Sequence, residues 1–285
     1  MSRKTKHIIL TITVLIIATV LAILIIKGHR AGDPTMDSPG FNTPQITEDP
    51  NIATVTFPEG LTVTEIAVKL EENNVCSKDE FLNAVNNPTE ELLQELGIHN
   101  RYERIFTLEG YVFPDTYEFY KGENATSVLQ RFIDNYKSKI TENDKQRASE
   151  LGYTMDEILT IASIIQEEAG RPDQDYKVSS VLHNRLNSGT KIECDVTIAY
   201  LEDHCAPYLP FGLTDANREN YNTYKCPALP KGPICNPGYA AIQAALYPEQ
   251  TSYLFFVTDA EWNYYYASTW DEHVANCRTA GIPGY

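Results

Sequence analysis

The most apolar stretch of the chain lies near its start, from residue 8 to residue 26, and it contains no charged side chain. At a rise of about 1.5 Å per residue, a helix of this length crosses the roughly 30 Å hydrocarbon core of a bilayer. Three basic residues, Arg3, Lys4 and Lys6, precede it, and no small-residue cleavage site follows it. The pattern predicts that residues 1–30 form a cytoplasmic tip and an uncleaved, single-pass anchor in the cell membrane, with the rest of the chain outside.

The stretch after the anchor is poor in large apolar residues and rich in proline, glycine, aspartate and threonine, which predicts an extended linker over residues 31–51. Residues 52–122 combine an alternating, strand-like run with capping boxes such as Thr62–Glu65, and they end in an aromatic, turn-rich elbow. We expect this part to be a small α+β subdomain.

Residues 123–285 mix helical and strand-like periodicities, which predicts a mixed α/β domain and an α+β class for the whole protein. The first predicted helix has Val128, Phe132 and Tyr136 along one side. The later predicted elements are a helix opened by the capping box Thr154–Glu157 and stopped by Gly170 and Pro172, a helix from about 173 to 187, a strand from Ile192, a helix capped by Asn236, and an aromatic hairpin around 259–263.

Charge is distributed unevenly along the chain. Residues 1–30 hold five of the 23 lysines and arginines and none of the 39 aspartates and glutamates. The remaining residues therefore carry 18 basic and 39 acidic side chains, a net charge of −21. Nucleic-acid binding relies on lysine and arginine to neutralise phosphates, so this surface argues against a nucleic-acid partner and leaves neutral or mixed-charge polymers open.

The six cysteines contain no C-x-x-C pair, which argues against a zinc site or a thioredoxin-like motif. Because the domain is expected in an oxidising compartment outside the membrane, Cys226 and Cys235 are predicted to form a disulfide across the loop between them. Cys194 and Cys205 are a second candidate pair. The alternative is that these residues are buried free thiols.

The sequence ASIIQEEAG, residues 162–170, carries two adjacent glutamates at the end of a strongly apolar helix. A helical wheel at about 100° per residue places Glu168 among the isoleucines of the apolar arc. Glu167 falls on the polar side, with Thr160 and Ser163, and is expected to be solvated. The two neighbours therefore have different predicted surroundings.

A carboxyl on the apolar face has a raised pKa, because burial disfavours its charged form. A general acid has to stay protonated near neutral pH, so Glu168 is a candidate catalytic residue. Two alternatives are open. Glu168 could reach back to water at the rim of the apolar face, or it could pair with Arg185 on the next helix, which would lower its pKa.

Motifs for several other chemistries are absent from the sequence. It has no G-x-S-x-G, no H-E-x-x-H and no P-loop, and its six histidines are scattered, so we expect no metal and no cofactor. The run Tyr221, Asn222, Thr223 and Tyr224 suits a sugar, which offers apolar faces and hydroxyl edges, although an ordinary turn explains it equally well. Asp195 either orients a sugar or the acid, or caps the segment that follows it.

Several motifs occur along the chain in the order LEGYVFPDTYEF, ASIIQEEAG, VSSVLHNRL, CDVT, YNTY, LPKGPICNPGYAAIQAALYP, SYLFFVTD and STWDEH. In this order, the motifs resemble those of the MltG (YceG-like) family of endolytic murein transglycosylases. Each motif alone is weak. Their ordered occurrence over about residues 52–275, together with the N-terminal anchor, is specific.

The resemblance implies a membrane anchor, a LysM-like subdomain over residues 52–122 and a catalytic domain over residues 123–285. It implies cleavage of MurNAc–GlcNAc bonds in nascent glycan strands without water, which leaves 1,6-anhydroMurNAc ends and terminates glycan elongation in cell-wall assembly. The family's essential glutamate falls on Glu168, the residue that the wheel selects. Tyr221 to Tyr224 would line the glycan cleft, Asp195 would support it, and cell-wall synthesis proteins would be further partners.

Two positions depart from the family pattern. The family often has lysine at the position of Glu167 and proline at that of Val196. The first change places a negative charge beside Glu168, which raises its pKa further, and the second alters the backbone near Asp195. Two other functions are open at this point: a non-catalytic peptidoglycan-binding scaffold, and a hydrolase that uses Glu168 and Asp195 as two carboxylates.

Overall fold

The computed structural model describes residues 49–284 of the chain. The predicted membrane anchor and all but the end of the predicted linker lie outside this range. Within it, no helix is both long and apolar enough to cross a bilayer. The described residues form a helix-rich fold with two small antiparallel sheets, which confirms the predicted α+β class.

The part predicted as a small subdomain begins and ends with a strand. Strand β1 (Ile52–Thr56) pairs antiparallel with β2 (Thr116–Tyr120), and alternate residues of both strands point into the core. The predicted capping box at residues 62–65 is present and opens the first helix. The helices between the two strands are α1 (Val63–Glu72), α2 (Lys78–Asn86) and α3 (Glu90–Leu96).

The rest of the described chain is mainly helical. Its elements are α4 (Ala125–Lys139), α5 (Glu142–Glu150), α6 (Met155–Glu168), α7 (Asp175–Asn187), α8 (Val196–Ala199), α9 (Asp215–Tyr221), α10 (Tyr239–Leu246), β3 (Phe255–Thr258), β4 (Tyr264–Ala267) and α11 (Trp270–Thr279). Helix α8 continues directly into a π-helical turn, Tyr200–Cys205. Helix α6 begins after its predicted capping threonine, Thr154.

Helix α6 lies in the core and is buried along most of its length. Every residue from Ile158 to Ile165 is buried, including Thr160 and Ser163, which the helical wheel placed on the polar side. Their hydroxyls donate to backbone carbonyls one turn earlier, those of Asp156 (3.0 Å) and Thr160 (2.8 Å). The backbone N–H of Ile234 donates to Ser163 (3.0 Å), and α10 packs against α6. Protein therefore covers the polar side of this helix.

The predicted aromatic hairpin is confirmed. Strands β3 and β4 pair antiparallel, with Phe255 opposite Ala267 and Thr258 opposite Tyr264. Helix α11 packs against both strands. On the other side, the hairpin reaches the C-terminal end of α6 through hydrogen bonds described below, so it forms part of the surroundings of Glu168.

Two predictions about secondary structure are wrong. No strand forms at Ile192, where the chain is irregular up to α8. Helix α10 begins after Gly238, so Asn236 is not its cap. The Asn236 side chain is buried instead, where it accepts from the N–H of Val112 (2.9 Å) and donates to the carbonyl of Leu61 (2.9 Å). An amide has both donors and an acceptor, and here it joins distant segments of the chain.

The predicted disulfide between Cys226 and Cys235 is absent, and all six cysteines are free and buried. The thiol of Cys226 donates to the carbonyl of Ala228 (3.5 Å), whereas that of Cys235 donates to the carbonyl of Ser163 on α6 (3.4 Å). The two side chains therefore turn toward different partners. The alternative of buried free thiols is therefore confirmed, and it applies to Cys194 and Cys205 as well.

Candidate active site

A pocket of about 500 Å³ opens at the C-terminal end of α6. Its walls come from α7, the irregular segment before α8, strand β3 and helix α11. Aromatic side chains and a few polar groups face it, a composition typical of ligand sites. Those that matter most for the chemistry are Glu168, Cys194, Asp195, Tyr224, Phe255 and Trp270.

Glu168 is the last residue of α6, and its position is fixed from two sides. Ile161 and Ile164 are fully buried and set the rotation of the helix. The hydroxyl of Tyr264 on β4 donates to the carbonyl of Glu168 (3.1 Å) and accepts from the N–H of Gly170 (2.8 Å). This hydroxyl satisfies a carbonyl that the helix end leaves without an internal partner, and it ties α6 to the hairpin.

The surroundings of the Glu168 carboxyl raise its pKa to about 7. Burial is the main cause, and the negative charges of Asp195 and Glu167 act in the same direction. A hydrogen bond with the thiol of Cys194 opposes them, because it favours the ionised carboxylate. Near neutral pH the carboxyl therefore populates both its acid and its base form, which suits a residue that donates a proton and then takes one back.

Arg185, considered above as a partner of Glu168, is engaged elsewhere. It lines the same pocket, but its guanidinium forms an ion pair with Glu193. It also donates to the carbonyls of Lys191 (2.7 Å) and Leu254 (3.0 Å). The arginine therefore fixes the pocket wall, and the pKa of Glu168 is raised and not lowered.

Glu167 faces away from this pocket. Its exposed side chain lines a second cavity of about 340 Å³, together with Glu59, Glu65 and His204. Partial burial of its carboxyl raises the pKa of Glu167. The two adjacent glutamates thus have different surroundings, and Glu167 faces a walled cavity as well as solvent.

The loop that carries Asp195 is held by residues of the YNTY motif. The hydroxyl of Tyr224 donates to Asp195 Oδ1 (2.8 Å). The hydroxyl of buried Thr223 accepts from the N–H of Cys194 (2.9 Å) and donates to its carbonyl (3.2 Å). Asp195 precedes α8, but its side chain makes no capping hydrogen bond. The motif therefore positions both Cys194 and Asp195.

The structure brings three of the predicted site residues together in the pocket: Glu168, Asp195 and Tyr224. Tyr221 is fully buried, with its ring 5.5 Å from that of Tyr200, and Thr223 is fully buried behind the Cys194 segment. The Asn222 side chain accepts from the N–H of Tyr224 (2.9 Å). Tyr221, Asn222 and Thr223 therefore shape the turn behind the pocket and do not line it, because this turn closes α9 against the core.

Two residues that act directly on Glu168 were not predicted, namely Cys194 and Tyr264. The alternation along β4 indicates that Tyr264 and Tyr266 share one face of the hairpin, but it does not indicate which element that face meets. The contact of Cys194 depends on an irregular backbone held by Thr223, 29 residues later. A local sequence pattern carries no signal for such a contact.

These features define a helix-rich α+β protein that places one carboxyl with a raised pKa on the wall of a pocket. The chain belongs to the YceG-like family, whose model matches residues 38–279. This match confirms the resemblance indicated by the ordered motifs.

Two proteins of similar sequence support the assignment to this family. A protein named endolytic murein transglycosylase from Bacillus subtilis (strain 168) is 27% identical over 227 residues, which cover 77% of this chain and 62% of that protein. One of the same name from Streptococcus pneumoniae serotype 2 (strain D39 / NCTC 7466) is 27% identical over 259 residues, 83% of this chain and 46% of that protein. The chain thus spans about half to three fifths of these curated relatives.

A solved structure is also similar. The crystal structure of a YceG-like protein from Listeria monocytogenes is 28% identical in sequence and matches with a TM-score of 0.64. The match covers 78% of this chain and 75% of that one. The similarity therefore extends over most of the described fold and is not confined to the segments around Glu168.

Proposed function

We propose that the protein is a membrane-anchored endolytic transglycosylase that cleaves MurNAc–GlcNAc bonds in nascent peptidoglycan strands and so terminates glycan elongation in cell-wall assembly. The observation that carries this proposal is the Glu168 carboxyl, with a pKa of about 7, on the wall of a pocket. The names of the relatives, endolytic murein transglycosylase, support it.

One carboxyl is enough for the lytic reaction. Glu168 donates its proton to the oxygen that joins C1 of MurNAc to GlcNAc, and the C1–O bond breaks. The resulting carboxylate takes the proton of the MurNAc 6-hydroxyl, whose oxygen bonds to C1 and closes the 1,6-anhydro ring. One product ends in 1,6-anhydroMurNAc, and the other begins with GlcNAc bearing a free 4-hydroxyl. Because the nucleophile belongs to the substrate, no second carboxylate has to activate water.

Asp195 supports this chemistry without acting as a second acid or base. Its negative charge helps to keep Glu168 protonated before the reaction. The same charge stabilises the positive charge that develops at C1 as the glycosidic bond breaks. Tyr224 holds Asp195 in place, and the rings of Phe255 and Trp270 offer apolar surface to the sugars.

Cleavage of long strands tests the proposal. The full-length protein in detergent is incubated with uncrosslinked glycan strands, and strand lengths are followed by chromatography over time. An endolytic enzyme produces intermediate lengths first, because it cuts inside the strand. A non-catalytic peptidoglycan-binding scaffold would bind the strands and leave their lengths unchanged, and that result would overturn the proposal.

Replacing Cys194 with alanine is expected to raise the pKa of Glu168, because it removes the hydrogen bond that favours the carboxylate. Activity requires the protonated acid, so it falls as pH rises through this pKa. The alkaline limb of the kcat/KM profile should therefore move to higher pH, by up to about one unit. Cys194→Ser keeps a donor and should leave the limb near its original position. Identical profiles for wild type and Cys194→Ala would contradict this role.

The proposed organisation of the chain also determines where in the cell the reaction occurs. We assign residues 1–30 to a single-pass membrane anchor, 31–51 to a linker, 52–122 to a LysM-like subdomain and 123–285 to the catalytic domain outside the cell membrane. The apolar run in the sequence supports the anchor, and the pairing of β1 with β2 at the two ends of 52–122 supports the subdomain. Cell-wall synthesis proteins, which work at the same membrane surface, are the expected partners.

Removing residues 1–30 is expected to leave cleavage of isolated glycan within about twofold of wild type, and to abolish function in cells. Fully extended, the linker reaches roughly 70 Å, so the anchor confines the domain to newly made strands and raises its effective concentration there. The measurement is strand length in cells that lack the full-length protein and export the truncated one at equal abundance. Full rescue by the unanchored protein would show that the anchor is not needed.

A further inference from the structure

The tip of the β3–β4 hairpin holds a tryptophan in an unusual backbone conformation. Trp262 has a φ of 62°, in the left-handed region that favours glycine. The residue is 55% exposed, so burial in the core does not explain why a bulky side chain occupies this position. Strain of this kind persists where the surrounding structure enforces it, and it is concentrated at functional sites.

The surrounding turn holds Trp262 rigidly. The carboxylate of Asp259 accepts hydrogen bonds from the N–H groups of Glu261 (3.0 Å) and Asn263 (2.9 Å), from the Asn263 amide (2.9 Å) and from the hydroxyl of Tyr265 (3.0 Å). The N–H of Trp262 donates to the Asp259 carbonyl (3.1 Å). These hydrogen bonds fix the backbone of the turn, so the point from which the indole projects needs little further ordering when a ligand binds.

The indole lies close to the catalytic helix. Any side chain at Gly170 would clash with the Trp262 ring, so this ring rests against the bare backbone two residues after Glu168. Tyr264, two residues after Trp262, fixes the same contact through its hydrogen bonds to Glu168 and Gly170. One part of the ring is thus supported by the protein, while the residue as a whole stays more than half exposed.

The hairpin that carries Trp262 also forms a wall of the Glu168 pocket. The residues of β3, Phe255 to Thr258, line the Glu168 pocket, and Trp262 follows them at the tip of the same hairpin. An enzyme that cleaves inside a strand has to contact sugars on both sides of the bond that breaks, so the strand continues past the pocket. A flat, uncharged ring suits the apolar face of an N-acetylated pyranose.

We propose that Trp262 forms a further glycan subsite, in which its indole stacks on a sugar of the strand outside the Glu168 pocket. This inference rests on the proposed function. The subsite adds binding energy and takes no part in bond cleavage. Its loss is therefore expected to weaken binding and raise KM, with little effect on kcat for strands that saturate the enzyme.

Binding is measured with uncrosslinked glycan strands as the probe, in a Glu168→Gln background that prevents turnover. Trp262→Gly removes the ring at a backbone position that glycine favours, and it should raise Kd about three- to tenfold. Trp262→Tyr keeps a ring and should stay within about twofold. The control is Tyr102→Ala, which removes another exposed ring that does not line the pocket.

A second measurement does not depend on the folding of the glycine variant. The chain has two tryptophans, so the fluorescence of the Glu168→Gln protein minus that of its Trp262→Tyr variant isolates the Trp262 indole, and this difference should change when glycan strands are added. Unchanged fluorescence, or unchanged Kd in Trp262→Gly while the wild type still cleaves strands, would overturn the subsite and leave the proposed function intact. A wild type that neither binds nor cleaves strands would overturn both.

Discussion

Replacing Glu168 with glutamine is expected to abolish strand cleavage and to leave the fold intact. Glutamine is nearly isosteric, but it neither donates a proton to the glycosidic oxygen nor takes one from the 6-hydroxyl. Loss of a positioned general acid or base typically lowers the rate by about 10²–10⁴-fold. Because one group serves both steps here, we expect a loss at the upper end of this range or beyond, measured as the initial rate of strand cleavage.

The adjacent residue provides the matched control. Glu167→Gln makes the same chemical change one position earlier, where the side chain faces the second cavity. It should retain most of the activity and slightly lower the pKa of Glu168, because one nearby negative charge is lost. If Glu168→Gln kept activity within about tenfold of wild type, the assignment of the catalytic acid would have to be abandoned.

Replacing Glu109 with glutamine is expected to reduce the loss of stability that occurs as pH rises. Glu109 is fully buried, and burial raises its pKa to about 8 from the usual 4.5, although backbone and side-chain hydrogen bonds oppose the shift. It accepts from the N–H of Val63 (3.0 Å), the amide of Asn236 (2.9 Å) and the hydroxyl of Tyr200 (3.3 Å). Glutamine preserves the acceptor oxygen, and its amide can donate to the Tyr200 oxygen.

The direction of this pH dependence follows from the number of protons that the folded and unfolded states bind. Between about pH 4.5 and 8 the folded protein holds a proton on Glu109 that the unfolded chain has released, so the free energy of unfolding falls as pH rises through this window. At 1.36 kcal/mol per pKa unit, the fall is on the order of 5 kcal/mol as an upper bound. Urea unfolding at pH 5 and pH 9 measures the total fall. It should be smaller in Glu109→Gln by up to this amount, and the part that comes from the raised pKa of Glu168 should remain.

Exposed Glu118 on β2 provides the control for this measurement. Glu118→Gln should keep the pH dependence of the wild type. Equal pH dependence in the wild type and Glu109→Gln would show that Glu109 is not the group responsible. The contrast with Glu168 is informative, because burial raises the pKa of both glutamates, but of the two only Glu168 lines the pocket proposed as the active site.

The parts of the fold that the sequence predicted well are those with local signals. The capping boxes at residues 62–65 and 154–157, and the alternating hairpin around residues 259–263, depend on contacts between near neighbours in the chain. The errors concern long-range contacts. Asn236 has the sequence context of a helix cap, but it is used to join Leu61 and Val112, which no local pattern reveals.

The candidate site shows the same difference between local signals, which the sequence reveals, and long-range contacts, which it does not. The helical period was enough to distinguish Glu168 from Glu167, because the rotation of α6 is set by its own isoleucines. The same reasoning could not distinguish which residues of the YNTY run face the pocket. Its tyrosines look alike in sequence, yet Tyr221 packs against the core and Tyr224 holds Asp195 in the pocket. Which ring faces the pocket is decided by the turn that follows α9, and the sequence does not specify that turn locally.

The central claim is that a single carboxyl cleaves the strand without water, and the new ends report on it directly. Uncrosslinked glycan is digested by the full-length protein in ¹⁸O-labelled water, and the products are analysed by mass spectrometry. The proposed mechanism predicts MurNAc ends that are one water lighter than reducing ends and carry no label, because the 6-hydroxyl of the substrate closes the ring. Reducing MurNAc ends that carry the label would show that water is the nucleophile. They would favour a hydrolase in which Glu168 and Asp195 act as two carboxylates, and would contradict the lytic mechanism.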